Sequence, residues 1–268
     1  MSPLPLLTIK ELGVTYHDAS GPALSDVSLN VDEKRRLAII GESGSGKSTL
    51  ARCIAGLLPA GARRTGELIW NDVDGCKSHG SFPAPGRDIA YVFQDPSASL
   101  NPVLTIGEQV SEAAIRHLGL TRRQALNRAL DLLTEVQLPH ADTLLSAYPH
   151  QISGGQRQRV AIAAAISANP KILIADEATS ALDTITQAAI AGLLDRLVHT
   201  NGMTLIFITH DIALASNIAD EIAVFKSGRL VEAGKARDVL SHPECAYTRR
   251  LLSSHLDLTT PPLIGSAD

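Results

Sequence analysis

Residues 41–48 have the types and the spacing that bind phosphate groups. They read Gly-Glu-Ser-Gly-Ser-Gly-Lys-Ser, which fits G-x-x-x-x-G-K-[ST], and they lie between an apolar run and a predicted helix. Glycines let backbone N–H groups surround phosphates, Lys47 adds a positive charge, and the Ser48 hydroxyl is a ligand for Mg²⁺. A Gly- and Ser-rich turn without a ligand is the alternative, but the flanking strand and helix favour phosphate binding.

A second group with possible chemistry is the pair of carboxylates Asp176 and Glu177, which follows the apolar run 172–175. In a parallel sheet the carboxyl ends of the strands face the ligand. Asp176 can then hold Mg²⁺, and Glu177 can orient and polarise an attacking water. A solvated acidic turn is the alternative, and the phosphate-binding loop elsewhere in the chain argues against it.

Four further residues have polar or aromatic side chains at predicted strand or helix ends. Gln94 follows the predicted strand 88–93 and has an amide that can ligate Mg²⁺ or hold a water. His210 follows the strand 204–209 and can reach a γ-phosphate, although many such histidines are structural. Asp183 fits a turn or a helix N-cap equally well. Tyr16 can stack on adenine, with core packing as the alternative.

Residues 153–156 predict a second helix start that can hold an anion. Ser153 is a good N-cap, and Gln156 three residues later completes a capping box. Gly154 and Gly155 leave the N–H groups of the first turn accessible to a closely packed ligand. One nucleotide rarely needs two such helix ends from one chain, which suggests that the protein works as half of an assembly.

Composition excludes several classes of protein. The chain has 268 residues, 44% of them hydrophobic and 19% charged, which is ordinary for a globular protein. Its net charge of −4 and 3% aromatic content argue against a nucleic-acid surface. No apolar run is long enough to span a bilayer and no secretory signal precedes the first strand, so we expect a cytoplasmic protein. The three cysteines are too dispersed to predict a zinc site or a disulfide framework.

The elements that must position these residues alternate between strands and helices. Alternating apolar strands and helices predict an α/β fold with a parallel sheet covered on both faces. The first thirty residues have the alternating pattern of antiparallel strands, and residues 96–168 look like a helical insertion, with a capping box at Thr121 and Gln124. We predict an ATPase domain over 1–243 and a short tail over 244–268, whose end we expect to be mobile.

Together these segments resemble the ATP-binding subunits of ABC transporters over nearly the whole chain. The order is A-loop Tyr16, Walker A 41–48, Q-loop Gln94, signature 153–156, Walker B 172–176, then Glu177, D-loop 180–183 and switch His210. Ile152 stands where the signature usually has leucine. The resemblance implies a P-loop NTPase (RecA-like) parallel-sheet core with an N-terminal antiparallel β subdomain and the helical ABC-specific insertion.

The resemblance also implies the site residues and the partners. Glu177, His210 and Gln94 are the expected catalytic residues, and Ser48, Gln94 and Asp176 are the expected Mg²⁺ ligands. The expected ATP contacts are Tyr16, Gly41, Glu42, Ser43, Gly44, Ser45, Gly46, Lys47, Ser48 and Thr49. In the head-to-tail dimer of the family, Ser153, Gly154, Gly155, Gln156 and Asp183 act on the ATP that the other subunit holds.

The expected partners are a second ABC ATPase subunit, identical or homologous, two transmembrane permease subunits and a solute-binding protein, with no nucleic acid. The subunit would then lie on the inner face of the cell membrane as a peripheral protein.

Three segments narrow the resemblance to the peptide and nickel importer branch. They are 94–102, 148–153 and the stretch from His242-Pro to Tyr247-Thr-Arg-Arg-Leu-Leu252. The chain has only Cys245 where longer members have a cysteine cluster, so no iron–sulfur site is predicted. The alternative is an ABC-type ATPase of a soluble enzyme complex such as a phosphonate-cleavage assembly. The sequence itself does not identify the cargo.

Overall fold

The computed structural model describes residues 5–17, 19, 21–71, 83–179 and 182–255. Within these ranges the strands are β1 (Leu7–Thr15), β2 (Leu24–Val31), β3 (Arg36–Ile40), β4 (Arg63–Trp70), β5 (Ile89–Val92), β6 (Ile172–Asp176), β7 (Thr204–Ile208), β8 (Glu221–Lys226) and β9 (Arg229–Lys235). The helices are α1 (Lys47–Ile54), α2 (Pro96–Ser99), α3 (Ile106–Leu118), α4 (Arg122–Glu135), α5 (Ala141–Leu144), α6 (Gly154–Ile166), α7 (Thr184–Asn201), α8 (Ile212–Ile218), α9 (Ala236–Ser241) and α10 (Ala246–His255).

The chain divides into two compact units. Unit one consists of residues 1–82 and 204–268, and unit two consists of residues 83–203. Unit one contains the predicted phosphate-binding loop and His210, while unit two contains Gln94, the carboxylates after β6 and the helix start at Ser153.

Unit one contains two sheets. In the first, β1 pairs antiparallel with both β2 and β4. In the second, β3 lies between β7 and β8 and is parallel to both, while β9 pairs antiparallel with β8. Residues 37–40 of β3 and 204–208 of β7 are buried. This continuous burial is why both strands read as uniformly apolar runs, as expected for a parallel sheet with covered faces.

Unit two combines one parallel strand pair with helices. β5 and β6 are parallel, with Val92 beside Ala175, so the carboxyl ends of both strands lie at one edge. Between the two strands the chain forms α2 to α6 and a 3-10 turn over Pro149–Gln151. The capping boxes predicted at Thr121 and Ser153 are confirmed at the starts of α4 and α6.

Most element boundaries agree with the sequence, and the differences have local causes. The sequence predicts a first helix over 47–58 that stops at Pro59, but α1 ends at Ile54, and Gly56 follows with a φ of +70°. β9 and α9 were not anticipated, because their sequences lack a clear apolar period. The end of the tail, which we predict to be mobile, falls on residues 256–268 and so lies outside the described residues. The boundary at residue 243 stays a prediction.

Among the described residues, none of the helices has both the length and the apolarity needed to cross a membrane.

Candidate functional site

The phosphate-binding loop joins β3 to α1 and folds tightly against two neighbouring backbone segments. A Cβ atom added to Gly41 would lie 2.3 Å from the Phe225 carbonyl oxygen, and one added to Gly46 would lie 2.8 Å from the Ala23 carbonyl oxygen. Gly46 also has a φ of +101°, which L side chains rarely adopt. Glycine is therefore required at both ends of the loop.

Lys47 begins α1 and turns its ammonium group back onto the loop. Its Nζ atom donates to the carbonyl oxygens of Gly41 and Glu42, both at 2.8 Å, and the side chain is 3% exposed. A buried ammonium group is stable only when polar atoms surround it. The loop therefore holds a positive charge at the helix start, where anions are favoured.

Ser45 is the second polar side chain buried in the loop. Its Oγ atom is inaccessible to water and has no hydrogen-bond partner among the described residues. A buried hydroxyl without a partner costs free energy, so such a group calls for an explanation. An oxyanion bound in the loop would supply one, because the hydroxyl could then donate to it.

Tyr16 and His210 are the other predicted site residues of unit one. The Tyr16 hydroxyl donates to Thr49 Oγ1 at 3.1 Å, so Tyr16 contacts the helix that follows the loop. Its stacking on adenine stays a prediction. His210 is exposed and follows β7, which is parallel to β3. Since parallel strands end at one edge, His210 lies on the same edge of the sheet as the loop.

The carboxylates of unit two occupy distinct environments. Asp176 ends β6 and is 4% exposed, and its Oδ2 atom accepts a hydrogen bond from the Tyr91 hydroxyl at 2.6 Å. Glu177 is half-buried and has a φ of +48°, an unusual backbone conformation for a residue other than glycine. Strained backbone of this kind is frequent at functional sites.

Gln94 follows a strand that ends at the same edge as the one before these carboxylates, because β5 and β6 are parallel. It follows β5 by two residues and is exposed. The structure therefore places Gln94, Asp176 and Glu177 at the same edge of the strand pair. Tyr91, whose hydroxyl bonds Asp176, was missed by the sequence analysis because nothing in an apolar strand marks a contact with a residue 85 positions away.

The second predicted helix start has the expected local geometry. Ser153 Oγ accepts from the Gln156 N–H at 3.3 Å, and Gln156 Oε1 accepts from the Ser153 N–H at 2.9 Å. A Cβ atom added to Gly154 would meet no described atom within 4 Å. Packing within the described chain therefore does not require glycine at this position, and the space beside Gly154 is open among the described residues.

Asp183 lies close to this helix start. It is the N-cap of α7, and its carboxylate accepts from the Thr186 N–H at 3.0 Å and from the Thr186 hydroxyl at 2.7 Å. These bonds hold the pKa of Asp183 below its usual value, and the bond from the Thr186 hydroxyl has the largest effect. A Cβ atom added to Gly155 would lie 3.2 Å from Thr186 Cγ2. Ser180, which begins the predicted D-loop, lies outside the described residues.

Comparison with known proteins identifies the family. The family model described as ABC transporter matches residues 24–180, which is more than half of the chain. The chain belongs to the ABC transporter family. This membership confirms the resemblance.

Two curated members of the ABC transporter family cover most of the chain. The dipeptide transport ATP-binding protein DppD of Haemophilus influenzae is 42% identical over 94% of this chain and 78% of that protein. The oligopeptide transport ATP-binding protein OppD of Bacillus subtilis is 38% identical over 93% of this chain and 71% of that protein. A third, the peptidoglycan transport ATP-binding protein YejF of Agrobacterium fabrum, is 39% identical, and the chain spans 51% of its length.

Solved ABC structures confirm the α/β fold class. The ATP-binding cassette MJ0796, described as a dimer bound to ADP and Pi, has a TM-score of 0.73 and 33% identity, covering 86% of this chain and 99% of that one. The cbiO1 protein of Clostridium perfringens has a TM-score of 0.74 and 30% identity, covering 90% of this chain and 93% of that one.

Proposed function

We propose that this chain is the ATP-hydrolysing subunit of an importer that carries peptides through separate permease subunits. The observation that carries this proposal is the loop between β3 and α1, in which Lys47 and Ser45 present a buried cation and a buried hydroxyl at a helix start. That arrangement suits a nucleoside triphosphate, and family membership makes nucleotide binding the expected activity.

The peptide cargo is inferred from the relatives. Those reported above are named for dipeptide, oligopeptide and peptidoglycan transport. These names support peptides rather than nickel complexes, and they do not favour a soluble phosphonate-cleavage assembly.

In the proposed reaction, water attacks the γ-phosphate of ATP and releases ADP and phosphate. The loop N–H groups, Ser45 and Lys47 hold the phosphates and offset their charge. Glu177 orients the attacking water and accepts its proton, and His210 contacts the γ-phosphate. The left-handed backbone at Glu177 fixes the direction in which its carboxylate leaves the strand.

Magnesium fits the donor set that we propose for it. The hydroxyl of Ser48, the amide of Gln94 and the carboxylate of Asp176 are hard oxygen ligands, and Mg²⁺ usually takes one or two carboxylates together with substrate phosphates. When bound, the ion would offset negative charge on the phosphates. Tyr91 keeps the Asp176 carboxylate in one orientation.

The active unit in this proposal is a head-to-tail dimer. The open first turn of α6 at Gly154 would close over the ATP that the other subunit holds, with Ser153 and Gly155 beside it and Asp183 nearby. This accounts for two anion-binding helix starts in one chain. ATP closes the dimer because it binds the closed state more tightly than the open one.

The subunit would act at the cytoplasmic face of the membrane. Two permease subunits would form the pathway, and a solute-binding protein would deliver the peptide. The helices α2 to α6 would contact a permease, with Gln94 as the hinge that couples this contact to the nucleotide.

Two variants test the proposal together. Glu177→Gln should keep ATP affinity within about threefold and lower kcat by about a hundredfold or more, because a general base is lost. Lys47→Ala should weaken ATP binding by about ten- to a hundredfold, because a charged hydrogen-bond donor is lost. Calorimetry measures the affinity and phosphate release measures kcat. Glu112→Gln, an exposed carboxylate on α3, is the control for charge. Wild-type turnover in Glu177→Gln would remove Glu177 from the mechanism.

A further inference from the structure

The C-terminal helix α10 is packed onto unit one as part of its core. Its residues Tyr247, Leu251 and Leu252 are 7%, 7% and 4% exposed, and they share a buried cluster with Ile40 of β3 and Val224 of β8. Glu232 of β9 fixes the start of the helix, since its carboxylate accepts the N–H groups of residues 244 and 245 at 2.8 and 3.1 Å. The position of α10 is therefore determined by β8 and β9 together with β3, the strand that leads into the nucleotide loop.

Tyr247 extends from this helix to the phosphate-binding loop. Its hydroxyl oxygen accepts a hydrogen bond from the backbone N–H of Glu42 at 3.4 Å. The Lys226 ammonium lies 4.9 Å from the centre of its ring, a distance at which the cation is attracted to the ring face. Burial raises the pKa of the Tyr247 phenol, so the group stays neutral at physiological pH and its oxygen remains an acceptor of ordinary strength.

The hydrogen bond to Tyr247 involves the same peptide group that accepts a hydrogen bond from Lys47. The carbonyl of Gly41 and the N–H of Glu42 belong to one planar peptide unit. Lys47 donates to its carbonyl at 2.8 Å, and Tyr247 accepts from its N–H. Both ends of a single rigid plane at the entrance of the loop are thus bound by side chains. A plane held at both ends rotates less freely than one held at its carbonyl alone.

The β8–β9 turn holds a second point of the loop. The N–H of Gly228 donates to the Ser45 carbonyl at 2.9 Å. Lys226, which stacks on Tyr247, is the last residue of β8 and lies two residues before Gly228. The tyrosine and this turn therefore hold the side of the loop that faces away from β7.

We propose that Tyr247 is a positioning residue for the nucleotide loop, through which the C-terminal helix α10 sets the affinity for ATP. This inference rests on the proposed function, because the loop must bind a nucleotide for its position to matter. Tyr247 lies beyond residues 24–180 matched by the family model, and it belongs to the stretch from His242 to Leu252 that the ATP motifs leave unexplained.

Tyr247→Phe separates positioning from packing. The variant keeps the ring, its burial and its contact with Lys226, and removes only the oxygen that bonds the Glu42 N–H. We expect ATP affinity to fall by about two- to fivefold, which corresponds to the loss of one weak hydrogen bond. The KM for ATP should rise by a similar factor while kcat at saturating ATP stays within about twofold, since Tyr247 does not touch the reacting atoms.

Ser253→Ala is the matched control on the same helix. Its hydroxyl bonds the Arg250 carbonyl at 2.9 Å at an exposed position, so its removal should leave ATP affinity unchanged. Calorimetric titration with ATP, together with the melting temperature of each variant, decides the question. Wild-type affinity in Tyr247→Phe, or an equal loss in Ser253→Ala, would overturn the inference. Failure of the wild-type chain to bind ATP would instead reject the proposed function.

Discussion

At the scale of single residues, the sequence predicts side chains that belong to motifs and misses those that support them from another strand. Spacing alone predicts Lys47 in a phosphate-binding loop, Asp176 at the end of an apolar strand and Ser153 at the start of a capping box. Tyr91 could not be predicted in the same way, because its contact with Asp176 depends on the pairing of β5 with β6. The left-handed backbone of Glu177 is likewise invisible in the sequence, since glutamate rarely adopts it.

We predict that Tyr91→Phe raises the Mg²⁺ concentration needed for half-maximal ATP hydrolysis by about tenfold. Residues that orient metal ligands typically affect metal affinity by ten- to a hundredfold, and this variant removes one hydrogen bond at 2.6 Å from the Asp176 carboxylate. Phosphate release measured over a range of Mg²⁺ concentrations provides the number. Tyr148→Phe, at a partly exposed tyrosine of the same unit, is the control. An unchanged Mg²⁺ requirement would show that Tyr91 does not orient a metal ligand.

At the scale of elements, capping residues predict where helices begin better than apolar patterns predict where they end. Thr121 and Ser153 each provide a side-chain acceptor, and each has a glutamine three residues later that completes the capping box. The predicted starts of α4 and α6 are therefore confirmed. The sequence predicts the end of α1 four residues too late. The apolar residues up to Leu58 resemble a continuing helix, but Gly56 has a left-handed backbone conformation. The burial of Tyr247 and the ends of β9 depend on tertiary packing, which local patterns do not record.

A partly buried ion pair links β3 to the residue that precedes β8 in unit one. The Arg36 guanidinium donates to both carboxylate oxygens of Asp220, at 3.1 and 2.7 Å, and the Arg36 N–H donates at 3.0 Å. Partial burial acts to raise the pKa of Asp220, but the hydrogen bonds and charge of Arg36 outweigh it, so the pKa lies below the ordinary 3.8. Because the folded pKa is lowered, this stability is present above pH 3.8 and is lost as pH falls through the folded pKa.

We predict that Asp220→Asn lowers the free energy of unfolding by about 1 kcal/mol at neutral pH. The difference from wild type should be the same at pH 7 and pH 5 and should shrink near pH 3, where the unfolded carboxyl is already protonated. Urea unfolding at the three pH values measures it. Glu33→Gln, which breaks an exposed pair with Lys34 at 3.7 Å, should cost less than about 0.5 kcal/mol. A difference that is constant down to pH 3 would contradict the role of the ionised carboxylate.

At the scale of the whole molecule, the chain has two helix starts that we predict to bind anions, one in each compact unit. The loop before α1 has a buried cation and a buried hydroxyl, whereas Ser153 and Gly154 at the start of α6 are exposed, and a Cβ atom added to Gly154 would meet no described atom within 4 Å. The two are therefore not equivalent sites. This asymmetry is expected if each subunit holds its own ATP at the first site and lends the second to its partner.

The most direct test is complementation between two inactive variants. Lys47→Ala subunits have a defective loop and an intact start of α6, whereas Ser153→Arg subunits have the reverse. Each variant alone should hydrolyse ATP at a few per cent of the wild-type rate or less. In an equal mixture about half of the dimers pair unlike subunits, and each of these has one intact site of two. We therefore expect the mixture to recover up to about a quarter of the wild-type ATPase activity. A mixture no more active than the sum of its parts, under conditions where the wild-type chain alone hydrolyses ATP, would contradict the shared site.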